Sequence, residues 1–173
     1  MNTRRKTGSL PWVTPDGTLD LGVFPIDSLL KQALSPEIDQ FRSGCVLLGS
    51  MAAGSRPEAG VYLVGLLRYY DSDLQRLEVV AEQLAHFRHD SSADALLAEI
   101  RRVRSSNTTR RYLDQVLRSL ARLPRHLVAA GLEDLADDTS FSSKMRAKLR
   151  DVLESPQRGE GRPTPMRPPP VNE

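Results

Sequence analysis

From Ile26 to Glu154 apolar residues recur three and four positions apart, the spacing of one face of an α-helix. Short breaks rich in Ser, Asp, Asn and Pro interrupt this pattern at Ser55-Arg56-Pro57, Asp71-Ser72-Asp73, His89-Asp90-Ser91-Ser92, Ser105-Ser106-Asn107, Leu123-Pro124 and Asp137 to Ser140. These residue types cap helices and turn the chain. The breaks predict six helices over roughly 58–70, 73–88, 92–104, 108–123, 125–136 and 141–154. Upstream, Ser35-Pro36-Glu37 predicts a helix start, because Ser can cap, Pro fits the first turn and an early carboxylate suits the positive end of the helix dipole. That helix should reach about Met51, after a shorter one over 26–34.

The ends of the chain lack this periodicity. Residues 1–24 hold Pro11, Pro15, Gly17 and Gly22, with Pro15-Asp16-Gly17 a turn signal, and predict an irregular arm. At most Leu19 to Phe24 would form a short strand without a ladder partner. Residues 155–173 carry six prolines with Gly159 and Gly161, which predicts a disordered, partly polyproline tail. Arg162, Pro165 and Pro168 there fit the spacing of ligands for SH3-like grooves, a spacing that proline-rich tails also reach by chance. The division expected is therefore an arm over 1–24, an all-α domain over 25–154 and a tail over 155–173.

The helices begin in pairs near positions 58, 92 and 125, within the range of helical repeats. A shift of 36 residues sets Leu77, Val80, Leu84 and Phe87 on Leu113, Val116, Leu120 and Leu123. A further shift of 33 sets Tyr112, Val116 and Leu120 on Met145, Leu149 and Leu153. With Asp71-Ser72-Asp73 and Ser105-Ser106-Asn107 as turns, and Val80, Ala81 and Leu84 as core positions of an inner helix, residues 58–154 resemble the HEAT and armadillo class of helix-pair repeats. The resemblance implies a short α-solenoid whose inner helices line a partner-binding face. It also implies an early Arg on each inner helix laddering with the turn acids, but Leu77 and Leu113 stand at the matching sites. A compact multi-helix bundle is the alternative.

Composition narrows the classes of function. The chain has 173 residues, 39% of them apolar and 27% charged, enough for one core and too polar for a membrane span. No apolar N-terminal run reads as a secretion signal, so a cytoplasmic location is expected. The formal net charge of +2 does not by itself imply nucleic acid. The single cysteine, Cys45, excludes an internal disulfide framework and a multi-cysteine zinc site, and its setting in Gly44-Cys45-Val46-Leu47-Leu48 suits a buried thiol. Gly44, Gly49, Gly54, Gly60 and Gly65 match no phosphate loop and are expected to mark close helix packing.

The strongest local charge signal lies in residues 101–125, with eight Arg against the single acid Asp114. At about 100° per residue, Arg111, Arg118 and Arg122 form one stripe opposite the core positions of their helix. With Arg110 and Gln115 beside them, they are the candidate partner-binding residues. Such a stripe could take phosphates or an acidic peptide. The repeat alignment also places Glu82, Arg118 and Asp151 at equivalent positions, where they could neutralise one another. Glu82, His86 and His89 would share a helix face and could offer metal ligands, but no further ligand accompanies them. The acids Glu133, Asp134, Asp137 and Asp138 read as a helix end and cap. No nucleophile with a paired base is present, and no cofactor is expected.

These features favour a non-catalytic helical-repeat adaptor that binds a protein partner. The alternative is a nucleic-acid accessory protein gripping phosphates with the Arg stripe and the basic N-terminal arm. A metal-dependent enzyme comes third.

Overall fold

The computed structural model describes residues 10–54 and 56–155. Among these residues the fold is all-helical: α1 (Ile26–Ala33), α2 (Ile38–Ala53), α3 (Pro57–Tyr69), α4 (Leu74–Leu84), α5 (Asp90–Arg102), α6 (Arg110–Leu120), α7 (Arg125–Asp137) and α8 (Ser143–Glu154). Residues 1–9 and the proline-rich stretch 156–173, with its groove-ligand spacing, lie outside the described residues.

Each helix packs against its successor within the pairs α1/α2, α3/α4, α5/α6 and α7/α8. The second members form a row in which α2 abuts α4, α4 abuts α6 and α6 abuts α8. A parallel set of contacts joins α3 to α5 and α5 to α7. One continuous core runs between the two rows, from Leu29 and Phe41 through Leu63, Leu77, Leu96 and Tyr112 to Leu132 and Leu149. The apolar residues expected on the second helices, Leu77, Val80, Leu84, Phe87, Leu113, Val116, Leu120 and Leu123, are all buried.

Two helices stop earlier than their apolar pattern suggests. α4 ends at Leu84 and α6 at Leu120, and the chain then tightens into i→i+3 bonds. His86 N donates to Gln83 O at 3.0 Å and Phe87 N to Leu84 O at 3.1 Å; 36 residues later Arg122 N donates to Ser119 O and Leu123 N to Leu120 O, both at 3.1 Å. The same tightening at the same register keeps Phe87 and Leu123 in the core. After the first of these turns, the buried Ser92 hydroxyl donates to Leu84 O at 2.8 Å and satisfies a carbonyl at the end of α4.

The start of α2 also differs from expectation. The helix begins at Ile38 rather than at Pro36, and Ser35 acts ahead of it, accepting from Glu37 N at 3.2 Å and donating to Gln40 at 3.0 Å. In the arm, Leu19 is not partnerless: it forms an isolated antiparallel bridge with Val13 across the Pro15-Asp16-Gly17 turn. Gly17 supplies the positive φ of 85° that this corner requires.

The glycines divide by role. A Cβ at Gly44 would lie 2.6 Å from Ala33 N, and one at Gly60 would lie 2.3 Å from the Phe87 ring, so both mark close crossings of helices. Gly49 is similarly tight against Gln83. Gly54 and Gly65 do not fit the close-packing expectation: Gly54 caps α2, and Gly65 faces open space.

Candidate interaction surface

The row of second helices presents its free side as a concavity of about 550 Å³. Arg42 reaches it from α2; Gln75, Glu78, Val79 and Glu82 from α4; and Arg111, Gln115 and Arg118 from α6. Three of the five expected partner-binding residues therefore meet in one place. They project there because Tyr112, Leu113, Val116 and Leu117 on the other side of α6 are buried. Arg110 points elsewhere, into a second concavity of about 230 Å³ beside Lys144, Lys148 and the Ser105-Ser106-Asn107 turn. Arg122 is exposed but lies beyond the end of α6, within the tightened turn, and lines neither concavity.

The larger concavity carries both signs of charge. Arg111 Nε meets Glu78 Oε2 at 2.8 Å, joining α6 to α4. Lys148 meets Asp114 at 2.5 Å, joining α8 to α6, and Arg101 meets Asp134 at 2.7 Å, joining α5 to α7. Each pair joins residues 33 or 34 positions apart, the spacing at which the helix pairs recur. The neutralising set Glu82, Arg118 and Asp151 does not form: among the described residues, no ion pair joins Arg118 to either acid. Arg118 and Arg42 thus remain available in the concavity with Glu82 near them. Arg42 and Glu78 carry no distinguishing pattern in their own helices, and only the packing of α2 and α6 on α4 brings them to this face. The signal that could have found Glu78 is its separation from Arg111.

Away from the concavity, charged groups act as staples. The buried Glu99 receives Arg102 in a two-pronged pair, Nε to Oε1 at 2.9 Å and Nη2 to Oε2 at 2.6 Å. Tyr112 Oη donates to the same Oε2 at 2.6 Å, and Arg102 Nη1 donates to Asp71 Oδ1 at 2.8 Å. Burial, reinforced by the bond to Glu99, pushes the Tyr112 hydroxyl far above the ordinary tyrosine range. This network ties the α3–α4 turn to α5 and α6 and opens into neither concavity.

The metal-ligand face does not form as a helix face. α4 ends before His86, and His89 caps α5, its Nδ1 accepting from Ser91 N at 3.2 Å while its ring stacks on Phe87. Among the described residues, no group of three His, Cys, Asp or Glu is placed to hold a metal ion. No helix of the described residues is long and apolar enough to cross a membrane.

Cys45 is fully buried in α2, and burial pushes its thiol up to about 12 from an ordinary 9.0. The folded state favours the neutral thiol and the unfolded state releases its proton more readily, so stability should hold below pH 9 and fall as pH rises from 9 to 12. The raised Tyr70 and Tyr112 hydroxyls act in the same direction above their ordinary 10.0. Urea midpoints measured across this range should decline, less steeply in Cys45→Ala. A midpoint flat to pH 12 would contradict the burial argument. No protein-family model matches the chain, and no curated protein or solved structure matches it.

Proposed function

We propose that this protein is a short helical-repeat adaptor that binds a segment of a protein partner across the row α2, α4, α6. The observation that carries the reading is the concavity in which Arg42, Arg111, Gln115 and Arg118 are gathered with Glu78 and Glu82 across the three neighbouring helices α2, α4 and α6. Serial packing in two rows supports a solenoid of the HEAT-like kind, because such stacks display their second helices on one continuous surface. Mixed charge favours a peptide with residues of both signs over a nucleic-acid backbone, which Glu78 and Glu82 would repel.

The test uses the full chain with a photo-crosslinking residue in place of Gln115. A protein captured by it should bind the Arg42→Glu, Arg118→Glu double variant at least about ten-fold more weakly. The melting temperature should stay within about 2 °C, since both positions are exposed. Undiminished binding by the double variant would reject the surface. The second reading, a phosphate-bearing nucleic acid, is favoured by Arg110, Lys144 and Lys148 around the smaller concavity. It requires binding that falls steeply with salt and is lost in Arg110→Glu, Lys144→Glu rather than in the first double variant.

A further inference from the structure

One helix of the other row is apolar on both sides. α3 buries Ala59, Gly60, Leu63, Leu66 and Leu67 in the core, yet its opposite side exposes Val61 (61%), Tyr62 (41%) and Tyr69 (70%). At about 100° per residue, Glu58, Val61, Tyr62, Gly65, Arg68 and Tyr69 fall within an arc of about 120°. Glu58, Val61, Gly65 and Arg68 also follow the alternating three- and four-residue spacing of a helix–helix seam. A Cβ built on Gly65 would meet nothing within 4 Å, so another helix can approach the α3 backbone there.

The seam is complementary to itself. If two copies of α3 lie antiparallel about a two-fold axis at Leu63, Glu58 of one faces Arg68 of the other, and Val61 of one enters the gap above Gly65 of the other. Glu58 accepts from Arg56 Nε through Oε1 at 2.7 Å, leaving Oε2 for a second cation. Arg68 has no ion-pair partner among the described residues. The order acid, apolar, gap, cation along the helix brings unlike groups together in every layer of this pairing, whereas a parallel pairing would set Glu58 against Glu58.

We propose that the exposed face of α3 binds a second copy of this chain, forming a two-fold symmetric dimer through antiparallel α3–α3 packing. The row α2, α4, α6 lies on other helices, so association leaves Arg42, Gln115 and Arg118 accessible and does not depend on the adaptor reading. A seam of one helix from each copy offers fewer contacts than an interface of several elements, so association should be weak and is followed up to the highest soluble concentration.

Sedimentation velocity over a concentration series should show the wild-type chain in monomer–dimer equilibrium. Glu58→Arg and Arg68→Glu should each be monomeric, because like charges then meet at both ends of the seam. An equimolar mixture of these two variants should dimerise, since each Arg of one chain then faces a Glu of the other. Val61→Lys should be monomeric without involving either charged position. A wild-type chain that stays monomeric throughout, or single variants that dimerise like wild type, would overturn the proposal. So would an equimolar mixture that remains monomeric.

Discussion

Replacing Arg102 by Met is expected to lower the unfolding free energy by about 3 kcal/mol, because it leaves the Glu99 carboxylate buried with Tyr112 as its remaining partner. Removing one member of a buried pair costs about 3–5 kcal/mol; the lower end applies since the Arg102 side chain is itself 40% exposed and water can reach its place. In a chain of this size the melting temperature should fall by about 6–12 °C. Arg102→Met combined with Glu99→Gln should recover part of the loss, since the buried charge is then gone while Tyr112 keeps an acceptor. Equal losses in the single and double variants would show that Arg102 contributes packing rather than charge compensation.

This network also marks a limit of sequence reading. Glu99, Arg102 and Tyr112 each sit in an ordinary helical pattern, and nothing in one helix shows that the end of α5 abuts the first turn of α6 and the turn before α4. The helices themselves were legible because every break held Ser, Asp, Asn or Pro with a capping or turning role, as Asp73 and Ser142 show by accepting from Arg76 N and Met145 N. The ends of α4 and α6 were not. Leu84 and Phe87, like Leu120 and Leu123, stand three apart, and an α-helical turn and an i→i+3 turn bury such a pair equally well. Apolar spacing therefore runs on past the true end.

The candidate interaction surface was half legible for a related reason. Projection along one helix correctly placed Arg111 and Arg118 opposite the buried side of α6, but it carried the same helix on to Arg122, where the chain has already turned. The repeat alignment set Glu82 level with Arg118, whereas the pair that forms across to α4 is Glu78 with Arg111. That pairing depends on how far α4 and α6 slide past each other, which fixes Glu78 against Arg111. The Arg76 contacts were hidden similarly. The repeat comparison looked for a laddering Arg at Leu77, one position away, whereas Arg76 both pairs with the turn acid Asp73 and reaches back to the turn before α2.

Replacing Arg76 by Ala should therefore cost about 3 kcal/mol and lower the melting temperature by about 6–12 °C. Its guanidinium donates to Ser35 O at 2.7 Å and Pro36 O at 2.6 Å, and its Nε meets Asp73 Oδ2 at 3.0 Å. It also lies over the rings of Phe41 and Tyr70, at 4.8 and 5.0 Å from their centroids. Charged hydrogen bonds contribute about 1.5–3 kcal/mol each, and a cation over an aromatic face about 0.5–2 kcal/mol. Since the side chain is only 12% exposed, little of this is screened by water, although water can replace it at the exposed Pro36 carbonyl. Arg76→Lys should recover less than half of the loss, because a single ammonium cannot reach both carbonyls while lying flat on two rings. Loss of the anchor should loosen α1 and the α1–α2 turn before the rest of the chain. Amide exchange at Leu34 and Ser35, whose N–H groups are bonded to Leu30 O and Gln32 O, should then accelerate far more than exchange in α6. A lysine variant as stable as wild type, or uniform acceleration throughout the chain, would show that Arg76 is not the clamp its contacts describe.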